Sequence, residues 1–382
     1  NLITDPNTLA PDTNDILYDT PGSDRIEGKG GNDEIYAIRG QADRLLGGAG
    51  NDGILAGAGN DIVAGGEGSD GIYGGTGNDQ LFGKDHGEMS QLITDGEIAS
   101  GINERGDIIA GNEGDDLMYG TNAKDYLFGG QGNDLLAGGG GDDILFGDIN
   151  IDPKFKPNNW DIVATRNNDT GQYGVTLVNI NLDTNLAYKG NDTIYGGAGD
   201  DLVDGGEGDN YLDGGAGSDT IGGGAGNDVL HGGPGDDILI GGGGNNTFIF
   251  NRGDGKDTIK KDNSSAATIN TVKFGQGITA DSLTLGLGSL RINTGAAGDE
   301  IHIENFNPND VYASRGIDSL EFADGSALTY EQLMEKGFDI AGTAGDDTVT
   351  GTNVADRING LAGNDTLSGG EGNDTLFGVY GN

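Results

Sequence analysis

One nine-residue pattern, Gly-Gly-x-Gly-x-Asp-x-apolar-x, recurs along most of this chain. Four consecutive copies fill residues 47–82, reading GGAGNDGIL, AGAGNDIVA, GGEGSDGIY and GGTGNDQLF. A repeat this short cannot bury an apolar face by itself, so successive copies must stack on one another as a solenoid. The Ile, Leu or Val at the eighth position of most copies predicts the row of side chains that forms the core.

The sixth position of the repeat carries an acid in register through four blocks. Asn210 and Asn246 replace the acid in the third block, where we expect weaker or absent metal sites. The candidate metal ligands are Asp24, Asp33, Asp43, Asp52, Asp61, Asp70 and Asp79 in the first block, Asp107, Asp116, Asp125, Asp134 and Asp143 in the second, Asp192, Asp201, Asp219, Asp228 and Asp237 in the third, and Asp347, Asp356, Asp365 and Asp374 in the fourth.

Composition excludes several classes of protein. The chain has 78 Gly in 382 residues, but a period of nine and only 7 Pro argue against collagen and against a disordered linker. The absence of Cys excludes disulfides and thiolate metal sites. No apolar run approaches the roughly eighteen residues of a membrane span.

The formal net charge of −43 argues against nucleic acid and anionic membranes as partners. With two repeats per coil, units i and i+2 lie one above the other at about 4.8 Å, and their aspartates form columns. Each like-charge pair at that spacing costs about 1 kcal/mol in water and several at a dielectric constant near 20. A cation must neutralise them, and a site built only from oxygen atoms favours calcium over zinc or magnesium.

The repeats resemble those of the RTX (repeats-in-toxin) family. The resemblance implies an all-β fold, a right-handed parallel β-roll in which GGxGxD forms the turn and the last three residues form a short strand. It also implies calcium between turns i and i+2, held by both aspartates and by glycine carbonyls, with roughly a dozen or more ions in all. The expected aspartate pairs are 24/43, 33/52, 43/61, 52/70, 61/79, 107/125, 116/134, 125/143, 201/219, 219/237, 347/365 and 356/374.

Non-repeat segments divide the chain. We expect an N-terminal strand and the first block in 1–83, a loop insert in 84–105, the second block in 106–147, a β-containing insert in 148–189, the third block in 190–250, a small β-rich capping domain in 251–340 and the fourth block in 341–382. The first insert carries His86, Glu88 and Glu104 and is expected to loop out of a continuing roll. The second insert carries Lys154, Lys156, Arg166 and the single Trp160.

The segment 251–340 resembles the β domain that follows the repeats in haemolysin-type calcium-binding proteins. The segment opens with Gly253–Ile259, and its most recognisable pieces are Gly298–Phe306 and Phe322–Gly325. Thr329 and Gln332 predict a capping box for one short helix that ends before Gly337. We interpret the domain as a cap on the third block, since an exposed roll end is an aggregation edge.

Catalysis finds no support in the sequence, and the prediction is that this chain is not an enzyme. Its three histidines, His86, His231 and His302, share no spacing, and zinc-protease, serine-hydrolase and Walker motifs are absent. His231 takes the ninth position of a repeat, which predicts a solvated strand end.

By resemblance, the chain is the calcium-binding region of a larger bacterial secreted or cell-surface protein that leaves the cell through type I secretion machinery and folds outside. One alternative is a self-assembling surface-layer or filament protein, with other copies of the chain or a surface polysaccharide as partner. Another is the C-terminal tail of a secreted toxin or hydrolase. The fourth block stops one partial repeat past Asp374, so the natural chain is expected to continue.

Overall fold

A computed structural model describes residues 2–4, 14–84, 105–149, 161–166, 173–178, 190–260, 269–313 and 315–378. They form two compact units, Asn1–Leu212 and Asp213–Asn382. Within the described ranges, no helix has the length and apolar character needed to cross a membrane. Residues 85–104 of the first insert, with His86, Glu88 and Glu104, lie outside the described residues, as do Lys154, Lys156 and Trp160 of the second insert.

The first unit consists of short strands. They are β1 (Leu2–Thr4), β2 (Ile16–Tyr18), β3 (Arg25–Gly30), β4 (Glu34–Tyr36), β5 (Arg44–Ala49), β6 (Gly53–Ala58), β7 (Ile62–Glu67), β8 (Gly71–Thr76), β9 (Gln80–Phe82), β10 (Arg105–Glu113), β11 (Leu117–Tyr119), β12 (Lys124–Gln131), β13 (Leu135–Gly140), β14 (Ile144–Phe146), β15 (Asp161–Arg166), β16 (Tyr173–Val178), β17 (Thr193–Ala198) and β18 (Leu202–Asp204). Strand β19 (Tyr211–Ala216) contains the division between the units.

Within the uninterrupted repeats of the first unit, strands pair in parallel with the second strand along the chain, not with the next one. Odd-numbered strands β3, β5, β7 and β9 form one sheet, and even-numbered strands β4, β6, β8 and β10 form the other. In the β6–β8 pair, Ile54 lies opposite Ile72. Two nine-residue repeats therefore make one coil, which confirms the predicted all-β parallel roll.

The two inserts leave the roll without interrupting its stacking. On either side of 84–105, β8 pairs with β10 and β9 pairs with β11. On either side of 148–189, β13 pairs with β17 and β14 with β18. Inside the second insert, β15 and β16 form a separate antiparallel pair.

The core is the column of eighth-position side chains. These residues point inward because side chains alternate between the two faces of a strand, and the GGxGxD turns then bring the chain to the opposite sheet. Leu45, Val63 and Leu81 on one sheet are fully buried, and Ile54 and Ile72 on the other are 3% and 1% exposed.

The second unit contains β20 (Thr220–Gly222), β21 (Val229–His231), β22 (Ile238–Ile240), β23 (Thr247–Phe250), β24 (Lys256–Lys260), β25 (Thr271–Phe274), a 3-10 helix (Ala280–Ser282), β26 (Thr284–Gly286), β27 (Leu290–Asn293), β28 (Glu300–Ile303), β29 (Ser319–Glu321), β30 (Ala327–Thr329), α1 (Tyr330–Met334), β31 (Phe338–Ala341), β32 (Thr348–Thr350), β33 (Asp356–Leu361), β34 (Thr366–Ser368) and β35 (Thr375–Gly378).

Segment 251–340 continues both sheets of the third block before it changes topology. Strands β22, β24 and β28 pair in parallel, as do β23, β25 and β29. The hairpin partners β27 and β30 then add antiparallel strands to β28 and β29. Strand β31 pairs in parallel with β33, and β33 pairs in parallel with β35. The fourth block therefore continues from the last strand of segment 251–340.

The predicted capping box at the start of α1 is present. Thr329 Oγ1 accepts a hydrogen bond from the Gln332 N–H at 3.3 Å, and the Thr329 N–H donates to Gln332 Oε1 at 3.0 Å. The helix ends at Met334, and Gly337 follows with a φ of 69°. This local prediction is confirmed.

Candidate metal centre in the aspartate turns

The sixth-position aspartates form hydrogen-bonded ladders between successive coils. The N–H of each aspartate donates to Oδ1 of the aspartate one coil further on, as from Asp43 to Asp61 at 2.7 Å and from Asp61 to Asp79 at 2.8 Å. The expected pairs that the structure brings together in this way within one unit are 24/43, 33/52, 43/61, 52/70, 61/79, 107/125, 116/134, 125/143, 219/237, 347/365 and 356/374.

The ladders also cross the inserts. The pairs 70/107 and 79/116 are 37 residues apart, and the pairs 134/192 and 143/201 are 58 residues apart. These four pairs were not among the expected ones, because the inserts remove the constant spacing of 18 residues between aspartates of neighbouring coils. At the two replaced positions, Asn210 and Asn246 accept through Oδ1 from the N–H groups of Asp192 and Asp228.

The second carboxylate oxygen has a different environment. In most turns Oδ2 is buried and accepts no hydrogen bond, although buried polar atoms are normally satisfied. Buried Oδ2 atoms without a hydrogen-bond partner belong to Asp43, Asp52, Asp61, Asp70, Asp79, Asp107, Asp116, Asp134, Asp143, Asp192 and Asp237. Because these atoms recur from turn to turn, we expect each of them to have the same kind of partner, and that partner is not a hydrogen-bond donor of the protein.

Space for that partner lies beside the first glycine of each turn. A β-carbon placed on Gly47 would meet both Asp52 Oδ2 and, at 2.5 Å, the carbonyl oxygen of Gly65 one coil further on. Among the described residues, no three His, Cys, Asp or Glu side chains cluster as a metal site. The oxygens that accompany each carboxylate are backbone carbonyls, a mixed ligand set that suits calcium. The residues therefore fit a calcium ion.

Burial raises the pKa of these carboxyl groups, and neighbouring carboxylates raise it further. The pKa of Asp70 reaches about 7, that of Asp79 about 8, that of Asp134 about 9 and that of Asp143 about 10. A carboxyl that ionises near 3.8 when unfolded and near 7 when folded costs about 4 kcal/mol of folding free energy at neutral pH. The roll is thus unfavourable at neutral pH without added positive charge.

Acid is expected to stabilise the calcium-free roll. Because the folded-state pKa values are raised, the folded state binds more protons. The stability that these carboxyl groups contribute is therefore complete below about pH 4 and is lost as pH rises from there through their folded-state values of about 7 to 10. In chelator, the far-UV circular dichroism should therefore show more β structure at about pH 5 than at about pH 8. A spectrum that is independent of pH in that window would contradict the raised pKa values.

Four aspartates depart from the series. The Oδ2 atoms of Asp24, Asp125, Asp347 and Asp356 each accept hydrogen bonds from a threonine at the second position of their own turn. Burial raises the pKa of Asp125 to about 6, less than at Asp143, because hydrogen bonds from Asp107 and Thr121 oppose the effect.

Sequence reasoning missed an acid that extends the ladder. Asp257 is 1% exposed, and its Oδ1 accepts from the Asp237 N–H at 3.2 Å. Burial and the Asp237 charge raise its pKa to about 9. The signal lay in the GDGKD sequence at 253–257, in which the usual nine-residue spacing is lost.

The prediction for His231 was wrong. Its imidazole, 18% exposed, lies between Asp213, 3.1 Å from Nδ1, and Asp254, 3.2 Å from Nε2. Burial lowers the pKa of His231, but the two carboxylates outweigh burial and raise it to about 10. His231 at the end of β21 therefore joins Asp213 of β19 to Asp254 in the segment between β23 and β24. Its partner Asp213 lies one coil earlier, 18 residues before it.

Comparisons with known proteins agree with this geometry. The family described as the RTX calcium-binding nonapeptide repeat matches residues 12–37, 39–72, 55–85, 103–136, 119–152, 187–221, 213–248, 222–259 and 341–376, which together are more than half of the chain. The haemolysin-type calcium binding protein related domain matches residues 290–332. No curated protein matches the chain significantly.

Among solved structures, the extracellular lipase LipA from Serratia marcescens is similar, at 20% identity and a TM-score of 0.17. The match covers 67% of this chain and 38% of the lipase, so it spans well under half of that protein.

The RTX repeat is a structural calcium-binding unit and not a catalytic one. The family match agrees with the structure. Both indicate a parallel roll of nine-residue repeats, with two repeats per coil and buried aspartate ladders. This chain belongs to the family of RTX calcium-binding nonapeptide-repeat proteins.

Proposed function

We propose that this chain is the calcium-dependent folding region of a larger secreted or cell-surface protein. The observation that carries the proposal is the series of buried Oδ2 atoms without hydrogen-bond partners. RTX repeats bind calcium and are typical of secreted proteins. A bound calcium ion supplies positive charge where the fold buries carboxylates in columns.

Each proposed site combines the carboxylate of one turn with carbonyl oxygens of the coil above. Asp52 Oδ2 and the Gly65 carbonyl represent one such level, and the glycine turns of each block repeat it, for about a dozen ions in the whole chain. The Asn246 level is expected to be weak. Its side chain is neutral, and its buried Nδ2 has no hydrogen-bond partner.

The same chemistry supports folding outside the cell. Extracellular calcium modules have dissociation constants of roughly 10⁻⁴–10⁻³ M, so they stay empty in a calcium-poor cytosol. An empty chain with the raised pKa values described above does not favour the roll at neutral pH. It therefore stays unfolded and suited to export through a type I secretion channel.

A calcium titration of the dichroism signal tests this proposal. The folding midpoint is expected at roughly 10⁻⁴–10⁻³ M calcium. A midpoint at micromolar calcium or below would contradict folding outside the cell, because the chain would then fold before export.

A matched pair of glycine substitutions tests the position of the sites in the same assay. Gly47→Ala should raise the calcium midpoint, because its β-carbon would enter the space between Asp52 Oδ2 and the Gly65 carbonyl. Gly243→Ala is the control, since its β-carbon would meet nothing closer than 3.9 Å. Neither glycine has a positive φ, so backbone strain does not separate them.

A further inference from the structure

Four turns have a threonine at the second position, where the repeat has glycine. They are the turns that end at Asp24, Asp125, Asp347 and Asp356. In each, the threonine N–H and Oγ1 both donate to Oδ2 of the aspartate in the same turn. The Thr352 N–H lies 2.5 Å and its Oγ1 3.0 Å from Asp356 Oδ2. Thr20 donates to Asp24 Oδ2 from the same two groups, at 2.6 and 2.9 Å.

The glycine turns direct the same backbone group elsewhere. The N–H of Gly66 donates to the carbonyl of Gly83 at 2.9 Å, and that of Gly130 to the carbonyl of Gly147 at 2.6 Å. Both glycines have positive φ, 119° and 115°, whereas none of the four threonines does. The threonine backbone thus turns its N–H toward the carboxylate, and the glycine backbone turns it toward the next coil.

A turn can leave its aspartate Oδ2 without a hydrogen bond even when the second position is not glycine. Asn112 occupies it in the turn that ends at Asp116, and its φ is 82°. Asp116 Oδ2 is buried without a hydrogen-bond partner, as in the glycine turns. The satisfied carboxylate therefore follows from threonine and its backbone conformation, and not from the mere loss of glycine.

Threonine also alters the space beneath its own turn. A β-carbon on Gly65 would lie 2.7 Å from the carbonyl oxygen of Gly83, in the coil above. At the next level, a β-carbon on Gly83 would instead lie 2.9 Å from Thr121 Cγ2. At this one level, beside Asp107 and below the Thr121 turn, a methyl group thus stands where the Gly65 level presents an oxygen ligand.

From these contacts we infer that the four threonine turns hold their aspartates without calcium, so that Asp24, Asp125, Asp347 and Asp356 are structural acceptors and only the glycine-type turns bind the metal. The inference refines the proposed function, on which it rests. Three of these turns lie close to the start of a block, Thr20 in the first and Thr343 and Thr352 in the fourth. The roll then has metal-independent turns where the repeats resume.

The test uses Thr121→Gly and the double variant Thr121→Gly/Thr352→Gly of the full chain, with Thr121→Ser as the matched control. Each replacement by glycine restores the Gly-Gly pair and frees Asp Oδ2 in that turn. Equilibrium dialysis at saturating calcium should show one additional ion per replaced threonine, and no change for Thr121→Ser, which keeps the hydroxyl. Circular dichroism in calcium verifies that each variant is folded.

A crystal structure of the calcium-loaded wild-type chain is the second measurement. It should show ions beside Asp134 and Asp143 Oδ2, and none beside Asp125 Oδ2. An ion bound to Asp125, or an unchanged stoichiometry in both glycine variants while the wild type binds calcium, would overturn the inference alone. A wild-type chain that binds no calcium would overturn the proposed function as well.

Discussion

In excess chelator at neutral pH, the chain is expected to give the far-UV circular dichroism of a random coil, and millimolar calcium should convert it to the spectrum of a β protein. The reason is the buried carboxylate columns. In the roll, the pKa values reach about 7 to 10 for Asp70, Asp79, Asp134 and Asp143. Without a cation, these carboxyl groups must bind protons when the chain folds, which costs free energy at neutral pH.

The expected effect is large because the sites add. At a tenfold excess over its dissociation constant, each site contributes about 1.4 kcal/mol, so about a dozen sites contribute about 17 kcal/mol. Magnesium at the same concentration is the control and should not substitute, since it demands a stricter octahedron and retains its waters. A chain that is already rich in β structure in chelator at neutral pH would refute this account of its stability.

The repeat made most of the fold predictable. A period of nine with an apolar eighth position predicted a stacked solenoid, and the resemblance to RTX repeats implied its parallel-roll form. The register of β6 on β8 shows the expected two repeats per coil. The sequence did not show that the roll would tolerate a turn with one extra residue. Asp33 and Asp43 are ten residues apart, yet the N–H of Asp24 still donates to Asp43 Oδ1 at 2.7 Å. The turn absorbs the extra residue, so the ladder continues.

Features that depend on contacts between coils were not predictable from the period. The Asp134–Asp192 pair joins residues on either side of an insert, and no periodic argument gives its spacing. His231 was misjudged because its ninth position on the strand face says nothing about the side chains of the coils above and below. Asp213 and Asp254 supply two carboxylates there, and electrostatic attraction outweighs the cost of burying the ring.

The threonine turns show a different gap between sequence and structure. Register alone treats Asp125 and Asp134 as equivalent ligands. The residue that separates them, Thr121, is visible in the sequence, but its effect depends on a backbone angle and on two hydrogen bonds within one turn. Local side-chain to backbone bonding of this kind is characteristic of threonine in turns.

Position within a block should decide how much a single aspartate matters, and Asp61→Ala is expected to raise the calcium midpoint for folding far more than Asp374→Ala. Asp61 is 1% exposed and joins two levels, since its Oδ1 accepts from the Asp43 N–H and its own N–H donates to Asp79 Oδ1. Its removal loses a charge-assisted hydrogen bond, worth about 2 kcal/mol, and a carboxylate beside the proposed ion.

Asp374 has fewer partners to lose. It is half-buried, and its Oδ1 accepts from the Asp356 N–H at 3.1 Å. Strands β34 and β35 around it are exposed along most of their length. Its loss should therefore leave the midpoint near that of the wild type. Equal midpoints for the two variants, measured by calcium titration of the dichroism signal, would mean that neighbouring levels do not share their aspartates. The coupling between coils that the ladder implies would then be absent.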